Sequence, residues 1–425
     1  MNKKAELIIE GKRFEFPIVE GVDGNSGIDI SNLQSSTGLV AVDPGFFNTA
    51  IGESKVSRRE PDTGKLFYRG YSVSDLADHS TFMETSYLLI YGNLPSKEEL
   101  TDFSRRLSKH SMIHEDMTYL FDGFPGKAHP LALLSTMVMA LSSYYPDHYE
   151  ESIDKGIDQA SRLLAKVRTI AAQCYKRRIG QPIVHPLDKL PYCTNFLYMM
   201  FSVPATEYTV DPYLDKVLNQ LWILYADHEQ NVAATTVQMV GSTKANLFAS
   251  ISAGISALWG SREGGQSVAA VEMIEEVIQS GISPKDYIEK LKSSGKLSSS
   301  TIFGHSAYTT VTERALVARK IFNEFSRKFN NKLLDTAKVF EEIVLQDAYF
   351  KENNLFPNLE FYSGFIFNTM GIPKEMFTLM QAIGKLPGWM AHWREQRINP
   401  NSKKVRPRQI YKGEMGRTYI TIEKR

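Results

Sequence analysis

The motifs Ala226-Asp227-His228-Glu229-Gln230-Asn231 and, further on, Gly260-Ser261-Arg262-Glu263-Gly264-Gly265 enclose a segment built almost wholly from small and apolar residues. Ahead of the first motif, Leu214, Val217, Leu218, Leu221, Leu224 and Tyr225 recur at helical spacing. Asp211-Pro212 supplies an N-cap followed by proline at the first helical position. The spacing predicts a helix that delivers Asp227 and His228 at its C-terminal end. Between the motifs, from about Asn246 to Trp259, Leu247, Phe248, Ile251, Ile255, Leu258 and Trp259 take one side of a helix, and Ala249, Ser250, Ala253, Gly254 and Ala257 take the rest. Small residues on the remaining faces predict a helix buried on more than one side. Gly260 fits its C-terminal cap, and a short loop then precedes a helix over roughly Ser267 to Gln279, which sets Glu263 near a helix N-terminus.

Outward from this centre, apolar alternation from Leu7 to Ile18, broken by Glu10-Gly11-Lys12, predicts a hairpin. A second strand pair is expected around the turn Pro61-Asp62-Thr63-Gly64. From Val73 onward the period is helical, and Gly281-Ile282-Ser283-Pro284 and a serine run from Ser293 punctuate a separate segment. At 425 residues the chain exceeds the roughly 250 to 300 at which one core stops growing, so two lobes are expected. Hydrophobic residues at 43% and charged residues at 23% mark a soluble globular chain. A net charge of +1 gives no electrostatic reason to expect nucleic acid or a membrane as partner. The N-terminus meets Glu6 and Glu10 before any apolar run long enough for a signal peptide, and no stretch approaches the length that spans a bilayer. Cys174 and Cys193 sit in no metal-ligand or redox pattern, so buried thiols in a reducing cytoplasm are expected, with no metal site.

More motifs follow in order: Phe303-Gly304-His305-Ser306-Ala307-Tyr308, then Arg314, Asn358-Leu359-Glu360-Phe361-Tyr362-Ser363-Gly364 and Arg406-Pro407-Arg408. The N-terminal half adds Asp43-Pro44-Gly45-Phe46, Tyr68-Arg69-Gly70-Tyr71 and Met112-Ile113-His114-Glu115. In that order the chain resembles citrate synthase, closest to the type found in many Gram-negative bacteria, over nearly its whole length. The resemblance implies a mainly α, two-lobed helical fold with a small N-terminal β region. Its parts would be an N-terminal β-rich region over 1–70, a large helical domain over 71–270, a small one over 271–370 and a return to the large domain over 371–425. It also implies an acyltransferase that condenses an acyl-CoA with an oxaloacetate-like 2-oxoacid, turning the acyl group into an alkyl group on transfer. Coenzyme A thioester would be the co-substrate, with no covalently bound cofactor, and the assembly a homodimer or higher homo-oligomer.

Such a condensation needs a base beside the thioester, a donor for the enolate, a donor for the ketone and cations for the carboxylates. On the resemblance, His228 matches the oxoacid-binding His, His305 the His that polarises the ketone, Arg314 a carboxylate-binding Arg, and Arg406 the Arg that reaches a neighbouring subunit's site. Where the family has an enolate-stabilising His, this chain has Glu263, and where it has an Asp base, Glu360. Lys385, in Ile383-Gly384-Lys385-Leu386-Pro387-Gly388-Trp389, stands for another carboxylate-binding Arg, and Ser306 for the Arg after the His of Gly-His-Arg.

Glu360 lengthens its arm by a methylene, and a misplacement of about 1 Å can cost on the order of a hundredfold in rate. Lys385 keeps the charge but loses the planar fork. An ionised Glu263, favoured by a helix N-terminus, would repel an enolate, whereas a proton shared with Glu360 would make it a neutral donor. Two functions follow from these replacements. One is an enzyme of the same type with changed substrate or weak ordinary activity. The other is a pseudoenzyme holding a di- or tricarboxylate through His228, His305, Arg314 and Arg406. Lys109, His110, Met112, Tyr145, Arg162 and Lys166 partly match an NADH-responsive surface of the subtype. His79, His129, His148, His185 and His392 are expected to be surface or packing residues.

Overall fold

The structure, a computed structural model, describes residues 3–145, 153–260, 263–293, 297, 302–305 and 307–425. His148, Ser261, Arg262 and Ser306 lie outside the described residues. The chain forms two compact units: the segment up to Glu53 with Val405–Arg425, and Ser54–Lys404. In the first unit, β1 (Lys4–Ile9) and β2 (Lys12–Glu20) pair antiparallel with Ile9 opposite Lys12, and β3 (Ser26–Ile28) joins β2 on its other edge. Glu10 and Gly11 close the hairpin at φ +48° and +78°, the pair of positive angles that a two-residue turn matched to strand twist demands. The C-terminal residues of this unit carry one short helical turn, Ile422–Lys424, and expose Ile410, Tyr411, Met415, Tyr419, Ile420 and Ile422.

The second unit opens on the expected strand pair, β4 (Ser57–Arg59) and β5 (Leu66–Tyr68), extended by β6 (Tyr71–Ser72). Helices start at Val73, and one hydrophobic cluster runs from Val56 to Ala391. The helices that shape the loops of interest are α1 (Pro212–Tyr225), α2 (Val232–Gly241), α3 (Leu247–Ala257), α4 (Gln266–Ser280), α5 (Glu313–Lys328), α6 (Leu359–Thr369) and α7 (Phe377–Ile398). As the sequence predicts, Asp211 caps α1 by accepting the Tyr213 N–H at 2.8 Å, with Pro212 in the first turn. Trp222 and Ile223 are as buried as the predicted face, so α1 is surrounded. Asn246 caps α3, but Gly260 is not its cap: Leu258, in the right-handed region, ends the helix. The Gly260 carbonyl instead accepts the Glu263 N–H at 3.0 Å.

α7 carries Pro387 in its interior. Proline has no N–H to give the helix and crowds the preceding turn. The Gly388 N–H is turned outward there, donating to the Ala226 carbonyl at 3.0 Å. A Cβ on Gly388 would lie 2.3 Å from that oxygen and 2.3 Å from Asp227 Oδ1, and one on Gly384 would lie 2.7 Å from Tyr225 Cβ. The two glycines thus let the end of α1 and the middle of α7 touch backbone to backbone. No helix among the described residues is long and apolar enough to cross a membrane. Cys174 and Cys193 are free and buried, and burial pushes both thiols up from their ordinary value. Gly388→Ala is expected to destabilise by about 1 to 3 kcal/mol, the usual cost of overpacking; chemical denaturation against the parent protein measures it, and parent-like stability would contradict the close approach.

Candidate functional site

The turn after α1 is held from several sides. Ser57 of β4 donates to the Asp227 carboxylate in a short hydrogen bond, the Tyr68 hydroxyl donates to the Asp227 carbonyl at 3.0 Å, and the Asp227 N–H donates back to that hydroxyl at 3.2 Å. His392 of α7 completes the set, its Nε2 lying 3.2 Å from Asp227 Oδ1, both side chains about 1% exposed. Burial alone would raise the Asp227 carboxyl and lower the His392 imidazole. Their mutual attraction outweighs this, so Asp227 is held below and His392 above its ordinary value. Glu229 then turns at φ +51° and receives Arg59 on one carboxylate, at 2.8 Å from the backbone N–H and 2.6 Å from Nε. His228 is thereby fixed between two anchored neighbours.

His228 faces His305 and Tyr308. Its Nε2 is 2.8 Å from the Tyr308 hydroxyl, and the two imidazoles stand edge to face, 4.8 Å between centroids. The segment bearing His305 is held against the start of α6: the Gly304 N–H donates to Phe356 at 2.7 Å, and the Asn358 side chain, which caps α6, also donates to the Gly304 carbonyl at 3.3 Å. His305 Nδ1 accepts the Ala307 N–H at 3.1 Å, which leaves the ring proton on Nε2 as a donor. Burial, then Arg314, Arg59 and Lys385, push His305 down to about 3, and the same burial and cations hold His228 well below the ordinary range. Both imidazoles are neutral at physiological pH.

Two of these cations, Arg314 and Lys385, are uncompensated, whereas Arg59 is paired with Glu229. Arg314, in the first turn of α5, is 4% exposed; its Nη1 reaches only the Leu224 carbonyl at 3.5 Å, and its Nε meets no acceptor. Lys385 of α7 is 9% exposed, its Nζ 6.0 Å from the Tyr225 ring centroid. Among the described residues, neither has a carboxylate within 4.0 Å. Glu263 and Glu360 lie further out, near enough that both act on Lys385 electrostatically. The loop carrying Glu263 is tied to α7 by Thr378, which donates to the Gly264 carbonyl at 2.9 Å. Burial raises the Glu263 carboxyl above its ordinary value, Lys385 pulls it back and Glu360 adds to the rise. A buried unpaired guanidinium is costly, and the arrangement suits an anionic ligand that brings its own carboxylate.

Six of the residues singled out from the sequence, His228, Glu263, His305, Arg314, Glu360 and Lys385, thus belong to one region of the second unit. Arg406 lies in the first unit and is exposed. Sequence reading missed Arg59, Tyr308 and His392. Tyr308 was available inside the motif around His305, whereas Arg59 and His392 come from segments remote in sequence, and the sequence marks His392 only as a surface or packing residue. Of the residues matched to an NADH-responsive surface, Arg162 and Lys166 lie over the Tyr145 ring at 4.4 and 5.2 Å, and Lys166 donates to the Met112 carbonyl at 2.6 Å. Among the described residues no cluster of His, Cys, Asp and Glu could hold a metal ion.

Residues 45–408 match the family model described as citrate synthase, C-terminal domain. The chain is 44% identical to citrate synthase 1 of Mycobacterium tuberculosis, over 99% of this chain and 98% of that protein. Its fold is similar to the crystal structure of citrate synthase from Pyrobaculum aerophilum, with a TM-score of 0.82, 31% identity and 96% and 97% of the two chains covered. The citrate synthase from Thermotoga maritima gives 0.78, 28%, 91% and 99%.

The Asp227–His392 pair makes stability depend on pH in a defined sense. His392 is held above its unfolded value, so its contribution is complete below about pH 6.5 and declines as pH rises through the folded value. Asp227 is held below its unfolded value, so its contribution is present above about pH 4 and is lost as pH falls through the folded value. His392→Leu is expected to cost about 3 to 5 kcal/mol at pH 6, since it leaves a buried carboxylate without its partner. The deficit relative to the parent protein narrows towards pH 9 in denaturation titrations; a constant deficit from pH 6 to 9 would contradict the ion pair.

Proposed function

Because the chain belongs to the citrate synthase family, we propose that it condenses an acyl-CoA with a 2-oxoacid of the oxaloacetate kind, using acids at 263 and 360 and an amine at 385. The observation that carries this reading is the buried Arg314 guanidinium without an anion, set beside two neutral imidazoles. A carboxylate of the oxoacid pairs with Arg314, His228 supports the bound acid, and the His305 Nε2–H points its dipole at the ketone oxygen. Neutral donors suit a ketone, because they polarise it without trapping the oxygen as a strong ion pair. Glu360 takes the proton beside the thioester. Glu263, whose carboxyl burial raises above its ordinary value, donates from its protonated form to the enolate oxygen that forms.

The pseudoenzyme reading keeps the same oxoacid subsite and drops the last two roles, so one experiment separates the two. Thiol release from acetyl-CoA with oxaloacetate is expected from the natural protein, at a rate raised in a Glu263→His, Glu360→Asp, Lys385→Arg variant. Silence from the natural protein, with oxaloacetate still raising its melting temperature, would leave only the binding role. The family type within citrate synthases, the acyl group and the lobes over 71–270 and 271–370 belong to this proposal as well. So does a cytoplasmic location, which the free thiols support.

A homodimer, in which Arg406 serves a neighbouring copy, accounts for the apolar side chains exposed beyond residue 405. Light scattering is expected to give at least a dimer, and a strict monomer would remove Arg406 from the site.

The raised Glu263 carboxyl also sets a pH limb. A protonated donor is lost as pH rises, so the rate falls on the alkaline side of an optimum. Glu263→Gln, which keeps a neutral donor, is expected to stay within about tenfold of the parent and to lose that limb, whereas Glu263→Ala loses about a hundredfold or more. An unchanged limb in Glu263→Gln would take the proton away from Glu263.

A further inference from the structure

Lys385 differs from a carboxylate clamp in one chemical respect: a primary amine can form a bond to a ketone carbon, and a guanidinium cannot. Its surroundings are those of a reactive amine. It is 9% exposed, has no carboxylate within 4.0 Å among the described residues, and shares the region with the Arg314 guanidinium and the proposed ketone donor His305. Two acids, Glu263 and Glu360, act on it from further away. The other described lysines buried to this degree, Lys166 and Lys176, give their ammonium groups to oxygen acceptors, of Met112 and of Gln181 and Ser202.

We propose that Lys385 forms an imine with the ketone carbon of the bound 2-oxoacid, a use of the site that rests on the oxoacid reading above. The nitrogen lone pair attacks the ketone carbon and the C=O π pair moves to oxygen, which takes up the proton shed by nitrogen. The resulting carbinolamine hydroxyl then receives the proton held on Glu263 and leaves as water, and the nitrogen lone pair closes the C=N bond. The products are a protonated imine and an ionised Glu263, so charge balances, and no oxidant or reductant is consumed. Burial holds the Lys385 ammonium below its ordinary value; Glu263 opposes that shift and Arg314 reinforces it, and the net result enlarges the share of free amine. The positive C=N group draws electrons from the carbon next to the former ketone carbon, which weakens a C–H or C–carboxylate bond on that neighbouring carbon.

The test is reductive trapping. The full-length protein is incubated with oxaloacetate and sodium cyanoborohydride, digested and mapped by mass spectrometry, while melting-temperature shifts establish the concentration that saturates the site. A secondary-amine adduct on the peptide containing Lys385, approaching one per chain and absent from Lys385→Arg, is expected. No adduct at saturating oxaloacetate overturns the imine and leaves the oxoacid site standing. Reduction spread over exposed lysines without enrichment at Lys385 also overturns it. A protein whose melting temperature oxaloacetate does not move loses the oxoacid reading and the imine with it.

Discussion

A carboxylate buried at the end of a surrounded helix has to be neutralised, and much of this site's geometry follows from how Asp227 is. It draws Ser57 from the β4–β6 sheet and His392 from α7, so three segments remote in sequence meet at one turn. The contact is tight because Gly388 allows it: the space a side chain would take is filled by the Ala226 and Asp227 oxygens. Pro387 then frees the Gly388 N–H to bind that same turn. Loss of helical regularity in α7 and rigidity of the His228 loop are therefore one event. Since His228 follows Asp227 directly, any slack in the ion pair would be passed to the imidazole.

The interior field has a sign that the helices alone would not give. Arg314 and Lys385 are brought in by α5 and α7 without anions, Arg59 adds a third positive charge from β4 that Glu229 partly offsets, and both histidines respond by giving up their protons. A field of this kind is satisfied by a ligand with carboxylates, and in His305 the Ala307 N–H then fixes the tautomer that leaves Nε2 a donor. Glu263 fits the same logic from the other side. Burial in a region with another acid leaves it protonated more readily than a surface glutamate, although Lys385 works against this. Repulsion between an acid and an enolate therefore does not rule out Glu263 as a participant.

Much of this was legible in the sequence. The hairpins, the capped helix ending at Tyr225 and the close-packed helix before Gly260 follow from local rules, since caps, turns and periodicity act over a few residues. The ordered motifs singled out six residues that the structure gathers in one region. What the sequence could not carry was long-range and electrostatic. His392 reads as an ordinary helical residue until Asp227, remote in the chain, is placed 3.2 Å away. Arg59 is a strand residue until Glu229 receives it. The cap expected at Gly260 failed for a local reason: the helix already ends at Leu258, in the right-handed region, and the Gly260 carbonyl accepts the Glu263 N–H.

The three positions that the resemblance reads as replaced, 263, 360 and 385, make most sense taken together. On the family resemblance, a glutamate at 263 and a carboxylate base at 360 would place two acids in one partly buried region, an arrangement that a cation near both relieves. Lys385 is that neighbour, acting on Glu263 and Glu360 alike. An arginine there would hold its charge at every accessible pH, pull both acids towards ionisation and fix the region as a clamp. A lysine can give its proton up, so the group of three can place protons in more than one way. Which way is occupied depends on what is bound, because an anion near Lys385 favours the ammonium and a ketone favours the amine. On the proposed reading, the region keeps the charges that grip an oxoacid while changing which of its groups moves a proton or makes a bond.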